Sequence, residues 1–131
     1  MKKGDQAPPS AAKLAARQVG LRGEAAAAAL AVERGWLIHG RNLRLRAGEA
    51  DLICVRDNGD GPIGRVVEVK STADGRNEME QRIDLAKRKR LWAMAKELAT
   101  RLELIEVGVV VVFCVMESDA QRLTWLELDP W

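Results

Sequence analysis

The run from Val107 to Met116 constrains the fold of this chain more than any other segment. It is apolar and rich in valine, and it carries no charge. β-Branched side chains favour extended backbone, and a strand apolar on both faces has to be covered on both. The run therefore predicts a central strand with helices on either side, the pattern of an α/β domain. It falls well short of the ~20 residues that span a membrane, so no membrane partner is expected. At 131 residues the chain has the length of a single domain.

The flanking segments fit that plan. Gly23 to Arg34 is alanine-rich and reads as a helix, stopped by Gly35. Trp36 to Arg46 and Glu49 to Arg56 read as strands joined by a turn at Ala47-Gly48. Asp57-Asn58-Gly59-Asp60-Gly61-Pro62 is a turn cluster, and Arg65 to Ser71 is a third strand. Glu78 to Leu102 reads as an amphipathic helix with Ile83, Ala86, Leu91, Met94, Leu98 and Leu102 on one face. Gln121 to Leu128 is a short last strand. Residues 1–20, with Pro8, Pro9 and Ser10, read as a flexible tail that turns helical near Ala11, and residues 21–131 as the domain.

Net charge is +2. Residues 1–20 hold four basic groups against one acidic, a net of +3, which leaves 17 basic against 18 acidic, or −1, for the rest. Any nucleic acid must then be held by local patches and not by a general positive field. Candidate patches are Arg41, Arg44 and Arg46 on the first strand and Lys87, Arg88 and Arg90 at the front of the second helix. Cys54 and Cys114 are far apart and read as reduced core thiols, which points to the cytoplasm. His39 is the single histidine, too few for a zinc site. The four tryptophans are scattered and read as packing residues, not a base-stacking platform.

Against this background Glu68-Val69-Lys70 is unusual. Strand interiors rarely place Glu and Lys among Val66, Val67 and Val69, because a buried charge costs several kcal/mol (~) unless paired or bound to metal. Residues two apart on a strand share a face, so Glu68 and Lys70 point together, as do Glu49 and Asp51 on the preceding strand. An antiparallel turn brings Asp51 near Glu68. Two carboxylates suit Mg²⁺, which prefers oxygen ligands and keeps several waters. A lysine beside them can orient water and stabilise phosphate charge. An outward polar face with a salt bridge is the simpler reading of any one of these residues. The set together favours phosphodiester hydrolysis.

Gly23-Glu24, Gly35-Trp36, Arg41-Asn42, Gly48-Glu49-Ala50-Asp51-Leu52-Ile53, Val67-Glu68-Val69-Lys70 and Lys87 to Leu91 together resemble the YraN-type bacterial family. That family is similar to Holliday junction resolvases within the PD-(D/E)xK nuclease superfamily. The resemblance implies a restriction endonuclease-like fold, a mixed central sheet flanked by helices. It implies a divalent-metal-dependent DNA endonuclease using Mg²⁺ or Mn²⁺, with branched or structured DNA as substrate and a homodimer as the assembly. Carried over by motif, Asp51, Glu68 and Lys70 are the catalytic residues, and Glu24 assists Asp51 and Glu68 in holding metal. Glu49 is a secondary candidate. Ser71 and Thr72 after the lysine, and Val107-Gly108-Val109 in the late strand, depart from the usual pattern. The alternative is a non-catalytic nucleic-acid-binding or scaffold protein that retains the fold.

Overall fold

The computed structural model describes residues 10–73, 83–117 and 120–130. Helix α1 (Ala11–Glu33) is followed by strands β1 (Leu37–Leu45), β2 (Gly48–Asp57) and β3 (Pro62–Thr72), helix α2 (Leu85–Leu102), and strands β4 (Glu106–Met116) and β5 (Gln121–Leu128). The five strands form one sheet in the order β1-β2-β3-β4-β5. All neighbours are antiparallel except β3 and β4, which run parallel across the α2 connection. This is the expected mixed sheet flanked by helices.

The valine-rich run is β4. Val109, Val110, Val111, Val112, Cys114 and Val115 are all buried. Its residues divide by alternation between two cores. Val110, Val112 and Cys114 pack with α1 residues Ala27, Ala28 and Ala31, while Val109 and Val111 pack with α2 residues Leu91, Met94, Ala95 and Leu98. Both thiols are buried and free, and burial pushes each up to about 11.

The helix ends differ from expectation. α1 starts at Ala11, where the tail was expected to turn helical, and runs unbroken through Gly23, the expected start of the domain's helix, with the Ser10 side chain accepting a hydrogen bond from the Lys13 N–H at 3.2 Å. Residues 11–20 are thus helical, and residues 1–9 lie outside the described set. The glycines at 20 and 23 had argued for a later start, since glycine weakens a helix interior by roughly 1 kcal/mol. Packing outweighs that cost at Gly23. A Cβ there would sit 1.8 Å from Ser71 Oγ and 2.9 Å from Ser71 Cβ, so glycine lets α1 lie close on β3. The helix stops at Gly35 (φ 92°), where the Gly35 and Trp36 N–H groups bond back to the Val32 and Ala31 carbonyls.

α2 begins at Leu85, not Glu78; residues 74–82 lie outside the described set, and Ile83 and Asp84 are not helical. Asp84 caps the helix, its carboxylate accepting from the Lys87 N–H at 2.7 Å. Ala86 is exposed in the first turn and does not join the buried face. An Asp84→Ala variant is expected to lose about 1 kcal/mol of stability. Urea unfolding with an unchanged m-value and a lower midpoint would show it.

Among the described residues no helix is long and apolar enough to cross a membrane. Trp36 is buried beneath the Arg56 and Arg65 guanidiniums, 4.1 and 5.2 Å from its ring centre. Trp92 donates to the Leu128 carbonyl at 3.2 Å, and Arg34 covers Trp125. These three tryptophans serve packing, and Trp131 lies outside the described residues.

Candidate functional site

The β2–β3 ladder is paired from Asp57↔Pro62 to Leu52↔Val67 and ends there, while β3 stays paired with β4 as far as Thr72↔Val115. Asp51 and Glu68 are the next residues in line, so they stand where β3 loses its partner β2. The Val69 N–H has no β2 carbonyl to bond. It donates instead to Asp51 Oδ2 at 2.8 Å. A lost ladder bond is thereby replaced by a carboxylate, which fixes that side chain against β3.

β2 is also irregular here. Ala50 and Ile53 belong to the same core cluster although they are three residues apart. Strict alternation would send them to opposite faces. Across the β1–β2 ladder, between the pairs Arg41↔Leu52 and Leu43↔Ala50, Asn42 adopts φ 50°. That left-handed conformation is tolerated by asparagine better than by most residues. Local strand distortions of this kind re-aim side chains near functional sites.

Glu68 is 7% exposed, and it is the buried charged residue among the described ones. Its Oε1 lies 2.7 Å from Lys87 Nζ and 3.6 Å from Lys70 Nζ. A cavity of about 260 Å³ opens beside it, lined by Glu49, Asp51, Glu68, Lys87 and Arg90, with Leu91 and Met94 of α2 as an apolar wall. Two acids that strand pairing alone only suggested to be neighbours therefore face one space, together with two cations from α2.

The electrostatics follow from this crowding. The Asp51 carboxyl is pushed up from 3.8 to about 6. Burial is the main cause; the Val69 hydrogen bond opposes it, and the negative charges of Glu68 and Glu24 add to it. Burial is the largest single influence on the Lys87 ammonium and pulls it down, but the hydrogen bond to Glu68 and the negative charges of Glu68 and Asp51 together outweigh it, so the net direction is up.

Because the folded chain holds the Asp51 proton more tightly than the unfolded chain does, the protonated group is favoured by folding. That contribution is present at low pH and is lost as pH rises from about 4 through about 6. Asp51→Asn is therefore expected to be more stable than the unaltered chain at pH 7 in chelator. The two should converge as pH falls towards 4. Unfolding midpoints measured across that range would show the convergence, and parallel curves would contradict it.

The other expected residues are placed as follows. Glu24, in α1 just after the Gly23 contact, does not line the cavity, but its charge reaches Asp51. Among the described residues no three His, Cys, Asp or Glu side chains group closely enough to hold a metal ion, so Glu24 does not complete a three-acid cluster with Asp51 and Glu68. Asp51 and Glu68, with Glu49 at the rim, are the oxygen donors the cavity offers. Of the basic residues, Lys87 and Arg90 line the cavity; Arg41, Arg44, Arg88 and Lys70 do not, Lys70 instead meeting the site through Glu68 at 3.6 Å. Arg88 lies along a separate hollow with Ile83, Phe113 and Leu128. Arg46 borders an adjoining one, and its backbone N–H donates to Glu97 Oε1 at 2.8 Å.

Lys87 was the basic residue expected to come nearest the site, but its direct ion pair with Glu68 was not foreseen. Its signal was helical spacing: Lys87 is one turn before the inward-facing Leu91 and so shares its face. The wall residues Leu91 and Met94 were read as core and are also the lining of the cavity.

Comparison with known proteins places the chain. The model of the uncharacterised protein family UPF0102 matches residues 23–112, which include α1 from Gly23 onwards, β1–β3, α2 and most of β4. The chain belongs to the UPF0102 family. This is the YraN-type family that the motifs resembled. A UPF0102 protein of Anaeromyxobacter dehalogenans (strain 2CP-C) is 40% identical over 82 residues, 62% of this chain and 58% of that relative. The match thus spans under two thirds of the relative's own length. The family segment contains Glu24, Glu49, Asp51, Glu68, Lys70, Lys87 and Arg90.

Proposed function

We propose that this chain is a divalent-metal-dependent DNA endonuclease of the PD-(D/E)xK type, with branched or structured DNA as its substrate. The observation that carries the reading is the convergence of Asp51 and Glu68 on one cavity with Lys87 and Arg90 beside them and Lys70 next to Glu68. Two partly or fully buried carboxylates raise each other's cost of ionisation. A hard divalent cation relieves that cost, and the all-oxygen donor set fits Mg²⁺ or Mn²⁺ and not a thiolate-seeking metal. Asp51 and Glu68 would hold it, with the remaining positions left to water and phosphate. When bound, it supplies a more acidic water and neutralises charge on the phosphate.

The residues of the chain do the rest. Asp51 is held in one orientation by the Val69 N–H, so its free oxygen faces the cavity at little further entropic cost. Lys70 places a point charge next to Glu68, where it orients the attacking water and stabilises the charge that builds on phosphorus-bound oxygens. Arg90 at the rim binds an adjacent phosphate. Leu91 and Met94 limit water on one side, which strengthens each of these interactions.

The second reading is a non-catalytic nucleic-acid-binding protein that keeps the nuclease fold. One observation favours it: Glu68 already has a cationic partner in Lys87. The two separate on a panel of linear, single-stranded, flap and four-way DNA with Mg²⁺, with Mn²⁺ and with chelator. Cleavage that needs metal, is lost in Glu68→Ala and is reduced in Lys70→Ala supports the endonuclease. Binding without cleavage in any metal supports the second reading.

A further inference from the structure

We propose that Lys87 is a tethered stand-in for the divalent cation: its ammonium neutralises Glu68 in the metal-free chain, and a metal reaches Glu68 by displacing it. The inference rests on the metal-dependent reading above and adds a gate to that site.

Three observations carry it. Glu68 is 7% exposed and cannot rely on water for its charge. A buried carboxylate left alone is strongly destabilising, so some cation has to be present in every state. Lys87 supplies one at 2.7 Å, closer than Lys70 at 3.6 Å on the same strand. Lys87 and Glu68 both line the cavity that Asp51 also lines.

The attachment of Lys87 is suited to exchange. Its backbone is fixed by the Asp84 cap, one turn before the buried Leu91. Its side chain is a four-carbon stem with rotatable bonds and carries a single point charge. The head can therefore leave Glu68 while the helix stays in place. A released ammonium remains at the cavity mouth beside Arg90, where a phosphate brings negative charge. Metal entry and phosphate binding would then support one another, since each removes a competitor or adds a partner for the other.

Thermal unfolding of the full chain in chelator and across a Mn²⁺ series tests this, using Lys87→Met, Lys87→Gln, Glu68→Gln and the Lys87→Met/Glu68→Gln pair. In chelator, Lys87→Met is expected to lower Tm by roughly 5–10 °C, because Glu68 is left without its nearer partner. Lys87→Gln, which keeps a hydrogen-bond donor, should lose less and serves if Lys87→Met does not fold. Mn²⁺ should restore the loss, with a half-effect concentration about tenfold below that of the unaltered chain. The double variant should show neither the chelator loss nor the tenfold change.

An unchanged Tm for both Lys87 variants in chelator would overturn the proposal. So would a Mn²⁺ half-effect concentration equal to or above that of the unaltered chain. If Mn²⁺ stabilises the unaltered chain while the Lys87 variants show no tighter response, the exchange fails and the metal reading stands. If Mn²⁺ stabilises neither, the metal reading fails and the exchange with it.

Discussion

Glu68→Ala is expected to reduce metal-dependent DNA cleavage by about 10³-fold or more, the scale of losing a principal electrostatic group in a water-poor site. Two effects combine. The donor facing the cavity disappears, and Lys70 loses the charge that holds its ammonium in place. Glu68→Gln separates them. It keeps the shape and one acceptor oxygen but not the charge, so it should fold close to normally and still be inactive. Single-turnover cleavage with saturating enzyme distinguishes a chemical defect from weak binding. A Glu68→Gln variant retaining more than about a tenth of the rate would contradict the assigned role. Lys70→Ala should fall less steeply, because Lys87 and Arg90 also carry positive charge at the site.

The second large effect is on the fold. Gly23→Val is expected to destabilise the chain by more than about 3 kcal/mol, at the upper end of the cost of forcing atoms into a packed interface. Even the first added carbon would meet Ser71 Oγ at 1.8 Å and Ser71 Cβ at 2.9 Å, and Cys114 Cβ lies at 3.6 Å. The Ser71 hydroxyl can rotate away, but its Cβ cannot without moving β3. Gly23→Ala should therefore be milder, and adding Ser71→Gly should recover much of its loss. Absence of that rescue would mean that α1 does not seat on β3 at Gly23. Because Glu24 follows Gly23, a displaced α1 should also relieve part of the pressure that raises Asp51.

The strands were legible because their chemistry is one-sided. After Glu106, β4 is uncharged and rich in valine, and the turn between β2 and β3 is dictated by Asp57 Oδ1 and Asn58 Oδ1 capping the Gly59 and Asp60 N–H groups. Helix near Ala11 was legible, but the continuity of α1 through Gly23 was not, because the benefit that keeps glycine in the helix comes from Ser71, 48 positions away. Glu68 and Asp51 were found as charges in apolar surroundings, which is a local signal. Their partners were harder. The Val69 N–H becomes available only because the β2–β3 ladder ends at Leu52↔Val67, a register fact that no pattern of residue types specifies. Arg41, Arg44 and Arg88 looked equivalent to Arg90 as members of basic runs. Strand and helix geometry sends them away from the cavity, while helical spacing turns Lys87 and Arg90 towards it.

The account stands on Asp51 and Glu68 sharing one cation. Crystals grown or soaked with Mn²⁺, measured for anomalous scattering, test that most directly. The account predicts an anomalous peak in the cavity lined by Asp51 and Glu68, with the Lys87 ammonium withdrawn from Glu68, and no such peak in Glu68→Gln. Saturating Mn²⁺ that leaves the space between Asp51 and Glu68 without a peak, with Lys87 still on Glu68, would contradict it.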